Sequence, residues 1–394
     1  MSKVICVKIA GIIAEYDPLH AGHIYHMLEA RRLTGADRIV CALGGAFTQR
    51  GEAALFDKYA RAEMALLAGA DAVVELPEVW AARPAQLFAR GGVLVLNALG
   101  ADALCFGCET DDTAALYEVL NLCSRRDGTF ASALHKGLED GKSYPRALSE
   151  AVFAHNPQLA DLLEGPNFIL ALEYLSALRE TGSRMVPCAV KRTSPYHARG
   201  AAPSSASGVR QMLAEGRLEE ACSFLPEDVA SVYRREYPDG LSRPERLDAF
   251  VLSTVRSLDP ASFSGPDGSE GLINRLVSLS KASESAEALV EAVKCKRYTR
   301  ARIRRLLTDA CLRLPDPPQR PAYVRLLGIR KDAHGLTKEL SERSGGLLTA
   351  DPKALAGDPV FEAECRATDL WGLSTARAQY RRAGREYTQK FLRV

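Results

Sequence analysis

The sequence lacks a strong excess of charge of either sign. Its 51 lysines and arginines against 49 aspartates and glutamates give a formal net charge of +2, and its pI is near 8.0. This net charge is too small to predict a nucleic-acid partner. A surface that binds nucleic acid is recognised instead by the local clustering of basic residues. The distribution of the basic residues along the chain therefore matters more than their number.

A long apolar run and a regular cysteine framework are also missing. The apolar residues 1–16 are too few to span a bilayer and contain no small-residue cleavage site, so we interpret them as a first buried strand. Ten cysteines without framework spacing or a secretion signal indicate free thiols and a cytoplasmic location. Cys105 and Cys108 have zinc-like spacing, but no second pair completes a tetrahedral site, and we predict no metal site.

The composition, 47% hydrophobic and 25% charged over 394 residues, is typical of a globular chain with two or three domains. In the first half, apolar runs alternate with amphipathic helical patterns such as 57–67 and 84–99. This alternation predicts an α/β fold with a Rossmann-like, doubly wound parallel sheet. Beyond about residue 215 helical patterns dominate, and we predict one domain over 1–215 and a mainly helical domain over 216–394. The predicted strands are 7–14, 38–43, 72–76, 103–106 and 185–191.

Turn residues mark the carboxyl ends of these strands. Asp17-Pro18 follows the first strand, Gly44-Gly45 the second, Pro77 the third and Gly107 the fourth. Doubly wound sheets bind ligands at this edge, where the strand order reverses. We therefore expect four loops to converge on one cleft.

The strongest chemical signal is His20-Ala-Gly-His23, which follows the first strand and opens a predicted helix over 24–32. A helix N-terminus presents unpaired N–H groups and suits a phosphate, and Gly22 allows a close approach of the backbone. Two histidines three residues apart can both donate to phosphate oxygens as charge develops during transfer. A metal-binding pair or two satisfied surface histidines are the alternatives.

Longer segments around this motif carry a family resemblance. In their order, the stretches 11–26, 44–77 and 99–109, then Pro166-Asn167, Lys191-Arg192 and 295–307, closely resemble the bacterial tRNA(Met) cytidine acetate ligases of the HxGH nucleotidyltransferase superfamily. The resemblance covers most of the chain. It implies activation of acetate by ATP to acetyladenylate and pyrophosphate, followed by acetylation of the exocyclic amine of the wobble cytidine in elongator tRNA(Met).

The resemblance also implies the ATP site. His20 and His23 would be catalytic, separate nucleotide contacts would come from Gly107, Asn167 and Arg192, and Mg²⁺ would accompany ATP. A second phosphate motif, at Ser205, Ser207 and Arg210, would hold the departing pyrophosphate. The implied ATP-binding segment consists of Ile13, Ala14, Glu15, Tyr16, Asp17, Pro18, Leu19, His20, Ala21, Gly22, His23, Ile24, Tyr25 and His26.

Structural alternatives apply to several of these residues. Asn167 is also a favoured N-cap for a predicted helix over 168–178, and Ser205 and Ser207 can cap the next helix. The segment 49–52 (Gln-Arg-Gly-Glu) is either part of the binding edge or a turn with a solvated charge pair. Asp17 adds a negative charge that either recruits Mg²⁺ or weakens ATP binding. The chain departs from the family pattern at five positions. It has Asp17 where the family usually has Asn, Leu19 in place of Phe, Ala46 where Gly-Asn-Phe is usual, Cys108 in place of Ser and Phe168 in place of a second Asn.

Two basic clusters predict an RNA partner. Seven of the twelve residues over 294–305 are Lys or Arg, and Lys296, Arg300 and Arg304 recur every four positions, which predicts one helical face. A solvated face is the alternative for this run, whereas the composition of the C-terminal cluster suits charge neutralisation and base stacking. The C-terminal cluster consists of Arg377, Arg381, Arg382, Arg385, Lys390 and Arg393, with Tyr380, Tyr387 and Phe391 interleaved.

Two other functions stay open. One is a small-molecule adenylyltransferase or carboxylate-activating synthetase of the same superfamily, against which the basic C-terminal half argues. The other is a catalytically impaired RNA-binding relative, against which His20, Gly22, His23 and Arg192 argue.

Overall fold

The strands of the first half lie close to where the sequence predicts them. The computed structural model describes residues 8–124, 128–142, 144–160, 166–192, 205–263, 265–268 and 271–394. Each of the first five strands agrees with its prediction to within two residues, although Val7 lies outside the described residues. The strands are β1 (Ile9–Ala14), β2 (Arg38–Gly44), β3 (Ala72–Leu76), β4 (Ala103–Cys108), β5 (Val186–Lys191), β6 (Val324–Ile329), β7 (Leu348–Thr349) and β8 (Leu392–Arg393).

Helices connect the strands and make up most of the second half. The helices up to β5 are α1 (Ala21–Thr34), α2 (Lys58–Leu67), α3 (Glu78–Ala81), α4 (Ala85–Ala98), α5 (Thr113–Ser124), α6 (Thr129–Glu139), α7 (Tyr144–His155), α8 (Pro157–Ala160) and α9 (Pro166–Glu180). The later ones are α10 (Ala206–Ala214), α11 (Leu218–Cys222), α12 (Glu227–Glu236), α13 (Asp248–Arg256), α14 (Leu272–Ser280), α15 (Ala286–Val293), α16 (Arg300–Leu312), α17 (Leu336–Arg343), α18 (Pro359–Leu373) and α19 (Arg385–Thr388). Within the described ranges, none of them is both long and apolar enough to cross a membrane.

One sheet organises the molecule, with strand order β5-β4-β1-β2-β3-β6-β7 and with β8 paired to β6. Strands β1 to β5 are parallel, and the order reverses between β1 and β4. This confirms the predicted Rossmann-like, doubly wound arrangement. Helices cover both faces, so β2 and β3 are almost wholly buried and, apart from Arg38 and Glu75, apolar or glycine, as expected for strands covered on both sides.

The sheet also contains strands from the second half of the chain. Strand β6 runs antiparallel to β3, with Ala72 opposite Ile329, and β8 pairs with β6. These strands were not predicted, because a short run such as 324–329, which is apolar apart from Arg325 and Gly328, cannot be distinguished by periodicity from a buried helix segment. The division into domains at residue 215 stays a prediction, and the sheet has strands on both sides of it.

A buried ionic cluster joins the second-half elements to the sheet. The Nζ of Lys58 on α2 lies 2.7 Å from Glu386 on α19 and 3.3 Å from Glu364 on α18, and it also pairs with Glu75 on β3. Arg325 on β6 pairs with Glu386. Burial opposes ionisation of Glu386, but the charges of Lys58 and Arg325 lower its pKa to about 2. Removing one member would therefore leave unpaired buried charges.

Candidate active site

The two histidines of the HxGH motif cap helix α1 reciprocally. His20 is the N-cap, and its Nδ1 accepts a hydrogen bond of 3.0 Å from the N–H of Gly22. The Nδ1 of His23 accepts one of 3.2 Å from the N–H of His20. A neutral imidazole whose Nδ1 accepts carries its proton on Nε2. The local helix geometry thus makes the Nε2–H of both rings a hydrogen-bond donor.

Burial and neighbouring positive charge keep both histidines neutral. Burial, with the charges of Arg192 and Arg210, lowers the pKa of His20 to about 4. Burial also holds the pKa of His23 well below its usual value, with His20, His26 and Arg192 contributing. At neutral pH the pair therefore acts as hydrogen-bond donors and not as cations or bases. Across the part of the chain that the structure describes, no group of three or more His, Cys, Asp or Glu side chains is placed to hold a metal ion.

Gly107 and Arg192 lie at the carboxyl ends of β4 and β5, at the edge where the strand order reverses. A Cβ built on Gly107 at the end of β4 would have no atom within 4 Å, so this position faces open space. Arg192 follows β5, and its N–H donates to the carbonyl of Cys108 at 3.0 Å. Its charge contributes to the lowered pKa of both His20 and His23.

Arg210 joins helix α10 to the loop after β1. Its Nη1 lies 3.2 Å from the Oδ2 of Asp17 and also donates to the Asp17 carbonyl. The Oδ1 of Asp17 accepts the N–H of Leu55 at 2.5 Å, and only 8% of the Asp17 residue is exposed. Both carboxylate oxygens therefore have partners. The positive charge of Arg210 offsets the negative charge that Asp17 introduces where the family that the chain resembles usually has Asn.

The structural alternatives turn out differently for Asn167 and Ser205. Asn167 lies inside α9, after Pro166, and so is not its N-cap; its Nδ2 donates to the Oε1 of Glu109 at 2.8 Å. Ser205 is the N-cap of α10 and accepts the N–H of Gly208 at 3.3 Å. Its Oγ also lies 3.1 Å from that of Ser207. The ATP contacts of these three side chains stay a prediction.

The other side chains of the implied ATP-binding segment differ in their surroundings. Tyr16 and Leu19 are buried in the core, and the hydroxyl of Tyr16 lies 3.4 Å from the Sγ of Cys41. Tyr25 points outward and is 37% exposed. Burial, with the charge of Arg192, lowers the pKa of His26 to about 4.

The segment 49–52 forms a turn that packs against helix α16. The N–H of Gly51 donates to the Thr48 carbonyl at 2.8 Å, and the Gly51 carbonyl accepts from the Thr308 hydroxyl at 3.0 Å. Gly51 has a φ of 74°, and a Cβ there would lie 2.3 Å from the backbone nitrogen of Arg305. Glu52 pairs with Arg304. The turn therefore connects the binding edge to the helical region.

Two charged side chains at the site, those of Arg61 and Glu15, were given no chemical role from the sequence. Arg61 is buried and Glu15 is half-buried. The guanidinium of Arg61 donates to the carbonyls of Glu15 at 2.6 Å and of Gly44 at 3.0 Å, so it ties together the loops after β1 and β2. The Oε1 of Glu15 accepts the N–H of Gln49 at 2.6 Å. No local pattern marks these roles, because the partners come from different loops.

The predicted basic face of three residues is wrong for Lys296. Helix α16 begins at Arg300 with Thr299 as its N-cap, so Lys296 precedes the helix. Arg300 and Arg304 lie 2.8 and 2.7 Å from the carboxylate of Glu287. The run 294–305 contains no acidic residue, but α15 and the 49–52 turn supply these carboxylates. Lys296 is exposed and forms no ion pair with any described residue.

The C-terminal basic cluster is also partly neutralised. Arg377 lies 2.7 Å from Glu236, and Arg385 lies 2.6 Å from Asp57. Their guanidinium groups lie 4.9 and 3.9 Å from the centre of the Tyr380 ring. They therefore occupy space that a base stacked on this ring would need. Beside them is a polar groove of about 770 Å³ that Arg382 also lines.

The other members of this cluster differ in their surroundings. Arg381 donates to the carbonyls of Leu373 and Thr375 at 2.9 and 3.2 Å. The Tyr387 ring packs 5.5 Å from that of Phe361, and Phe391 lies 5.9 Å from the Arg393 guanidinium. Among the described residues, Arg382, Lys390 and Arg393 have no ion-pair partner. RNA binding by this cluster stays a prediction.

A doubly wound sheet whose first strand leads into a histidine-capped helix defines a nucleotidyltransferase of the HxGH class. A family model described as HIGH Nucleotidyl Transferase matches residues 7–386, and the chain belongs to this family. The chain is 32% identical over 413 residues to the tRNA(Met) cytidine acetate ligase of Acetivibrio thermocellus, and the match covers 98% of this chain and 100% of that protein. It is 31% identical over 383 residues to the protein of the same name from Thermoanaerobacter sp. strain X514, covering 93% and 95% of the two chains.

A solved structure is similar over its whole length. The crystal structure of Thermotoga maritima TmcAL bound with alpha-thio ATP, form II, superposes with a TM-score of 0.87 at 29% sequence identity. The superposition covers 98% of this chain and 100% of that chain. The apo structure of the same protein, form I, gives a TM-score of 0.85.

Proposed function

We propose that this chain is an ATP-dependent tRNA(Met) cytidine acetate ligase that works in the cytoplasm. The observation that carries the proposal is the pair of Nε2–H donors that His20 and His23 present at the N-terminus of α1. Relatives that carry this name match 98% and 93% of the chain. The neighbouring structure contains an ATP analogue, which supports ATP as the substrate.

In the first half-reaction, an acetate oxygen attacks the α-phosphorus of ATP and pyrophosphate leaves with the bonding electron pair. His20 and His23 donate to the phosphate oxygens as their charge grows, and Arg192 supplies positive charge nearby, whereas Arg210 is already paired with Asp17. Preorganised donors of this kind need no rearrangement as the reaction proceeds.

Asp17 does not fit as a ligand for the Mg²⁺ that would accompany ATP. Its two carboxylate oxygens are held by the N–H of Leu55 and by Arg210. No step of the proposed reaction is therefore assigned to a protein-bound metal.

In the second half-reaction, the exocyclic amine of the cytidine attacks the acetyl carbonyl and AMP leaves. An acyl adenylate hydrolyses in water, so the RNA must be held by contacts away from the sheltered reaction centre. We assign this role to the exposed members of the two basic clusters that have no acidic partner in the described chain, which are Lys296, Arg382, Lys390 and Arg393. Arg300 and Arg304 contribute less, because carboxylates already neutralise them.

The test is pyrophosphate exchange with ATP and a panel of carboxylates, with and without total tRNA, followed by measurement of labelled acetyl groups in RNA. We expect exchange that needs acetate but no tRNA, and acetylation of RNA by labelled acetate. Exchange with another carboxylate and no modified RNA would favour the small-molecule synthetase. Binding of RNA without exchange for any carboxylate would favour an impaired relative.

A charge-matched pair of variants tests the RNA surface. The variant K296E/R382E/K390E should bind tRNA more weakly, and its affinity should depend less on salt. The slope of the logarithm of the binding constant against the logarithm of the salt concentration should become shallower by about 0.9 for each phosphate that the protein no longer neutralises. The control K136E/K338E/K353E changes the net charge equally at exposed lysines elsewhere. Equal tRNA affinity in the two variants would remove the assigned residues from the RNA surface.

A further inference from the structure

The proposed second half-reaction needs a proton acceptor. When the amine attacks, an N–C bond forms, the bond from the acetyl carbon to the phosphate oxygen breaks, and AMP leaves with the electron pair. The amine proton must then pass to a base. His20 and His23 cannot take it, because each Nδ1 accepts a backbone N–H and each Nε2 already carries a proton.

Two carboxylates near the binding edge are already committed to protein partners. Asp17 receives the N–H of Leu55 and the guanidinium of Arg210. Glu109 receives Asn167 on its Oε1, and the thiol of Cys108 lies 3.9 Å from its Oε2. Neither has an oxygen free of protein contacts.

Glu15 differs in having one oxygen oriented by the protein and one without a partner. It follows β1 directly, at the edge where the strand order reverses, and its Cγ lies 3.8 Å from the position of a Cβ on Gly44. Its Oε1 is fixed by the N–H of Gln49 at 2.6 Å. Its Oε2 has no hydrogen-bond partner among the described residues, and the side chain is only half-buried. The carboxylate is thus held in place with one oxygen available.

We propose that Glu15 is the general base that accepts the amine proton during acetyl transfer. This inference rests on the proposed function and assigns a residue to its second half-reaction. The bond from Gln49 gives the 49–52 turn a role at the site, because it sets the orientation of the carboxylate.

The electrostatic surroundings of Glu15 suit this role. Burial raises its pKa to about 7, and the charge of Asp17 acts in the same direction. The N–H of Gln49 and the charges of Arg61 and Arg50 act in the opposite direction. Tyr174 faces it from α9 and is neutral, since burial and the charge of Glu15 raise the pKa of its hydroxyl. A base with a pKa near the working pH combines a substantial ionised fraction with adequate basicity.

The experiment compares the two half-reactions in the full-length wild-type enzyme and in Glu15→Gln. Acetate-dependent pyrophosphate exchange reports adenylation. A single turnover of enzyme-bound acetyladenylate with tRNA reports transfer. We expect Glu15→Gln to slow transfer by roughly 10²–10⁴-fold and to affect exchange far less. The wild-type transfer rate should rise with pH through an inflection near 7, and this inflection should be missing in Glu15→Gln.

Glu15→Asp is the second variant, since it keeps a carboxylate but moves it by one methylene. It should slow transfer while keeping an inflection in the pH profile, and it decides the question if Glu15→Gln does not fold. Equal losses in exchange and transfer, or transfer at the wild-type rate, would overturn the role of Glu15 alone. If the wild-type enzyme shows no acetate-dependent exchange, the proposed function fails, and this inference falls with it.

Discussion

Two substitutions of His20 separate its structural role from its chemical role. His20 caps helix α1 through Nδ1 and presents Nε2–H to the phosphate site. In His20→Asn, the side-chain oxygen can still accept the N–H of Gly22, because Asn is among the best N-caps. It has no donor at the position of Nε2. His20→Ala loses both functions.

The expected magnitudes follow from these two contacts. Loss of the cap should cost about 0.5–2 kcal/mol of unfolding free energy in His20→Ala and little in His20→Asn. Loss of the donor should lower the adenylation rate by roughly 10²–10³-fold in both variants. Urea unfolding measures the first quantity, and pyrophosphate exchange at saturating acetate measures the second. Wild-type exchange in His20→Asn would refute the reasoning, because that variant keeps the helix cap but lacks the Nε2 donor.

The depressed pKa of His20 adds a dependence on pH. Its pKa is about 4 in the folded protein, against an ordinary value of 6.5. Between these values the unfolded chain binds a proton that the folded chain does not, so this histidine lowers stability as the pH falls through that window. His20→Asn should remove this part of the acid sensitivity. Unfolding titrations at several pH values, compared between the two proteins, measure it.

Three further predictions concern the core and the cleft. Lys58→Met leaves Glu75, Glu364 and Glu386 without their shared cation and should lower the unfolding free energy by about 3–5 kcal/mol in denaturant titrations; a loss below about 1 kcal/mol would contradict this. Burial raises the pKa of Glu78 to about 7 from 4.5, so its contribution to stability is lost as the pH rises through that window. Glu78→Gln should therefore show a smaller fall in unfolding free energy between about pH 5 and 8 than the wild type does. Gly107→Val adds a side chain at a position where a Cβ meets no protein atom, so we expect an unchanged melting temperature. The same side chain should weaken ATP binding, measured by calorimetry, at least about tenfold. Equal ATP affinity in the two proteins would remove Gly107 from the site.

The features that the sequence analysis predicted well depend on local signals. Strand β3 and the start of α2 agree with their predictions, because a short and mainly apolar run and the capping carboxylate of Asp57 are both visible in the sequence. Strand β6 was not predicted, because its short and mainly apolar run is ambiguous by itself and pairs with β3 only in the folded chain. Lys296 was predicted to lie on a helix that in fact begins at Arg300, because the basic periodicity continues across the N-cap Thr299.

The sequence by itself determined the doubly wound parallel sheet and the histidine pair at the start of α1, because periodicity, turn residues and a helix-opening motif act over a few neighbouring positions. Tertiary structure decided which charges are available for chemistry. Arg304 is neutralised by Glu52, which lies 252 positions away, and Arg210 is bound to Asp17. Glu15, in contrast, is oriented by a single N–H from another loop. The groups that folding brings near an ionisable side chain set its pKa and decide which of its polar atoms stay without a hydrogen-bond partner. Those groups are not its neighbours in the sequence.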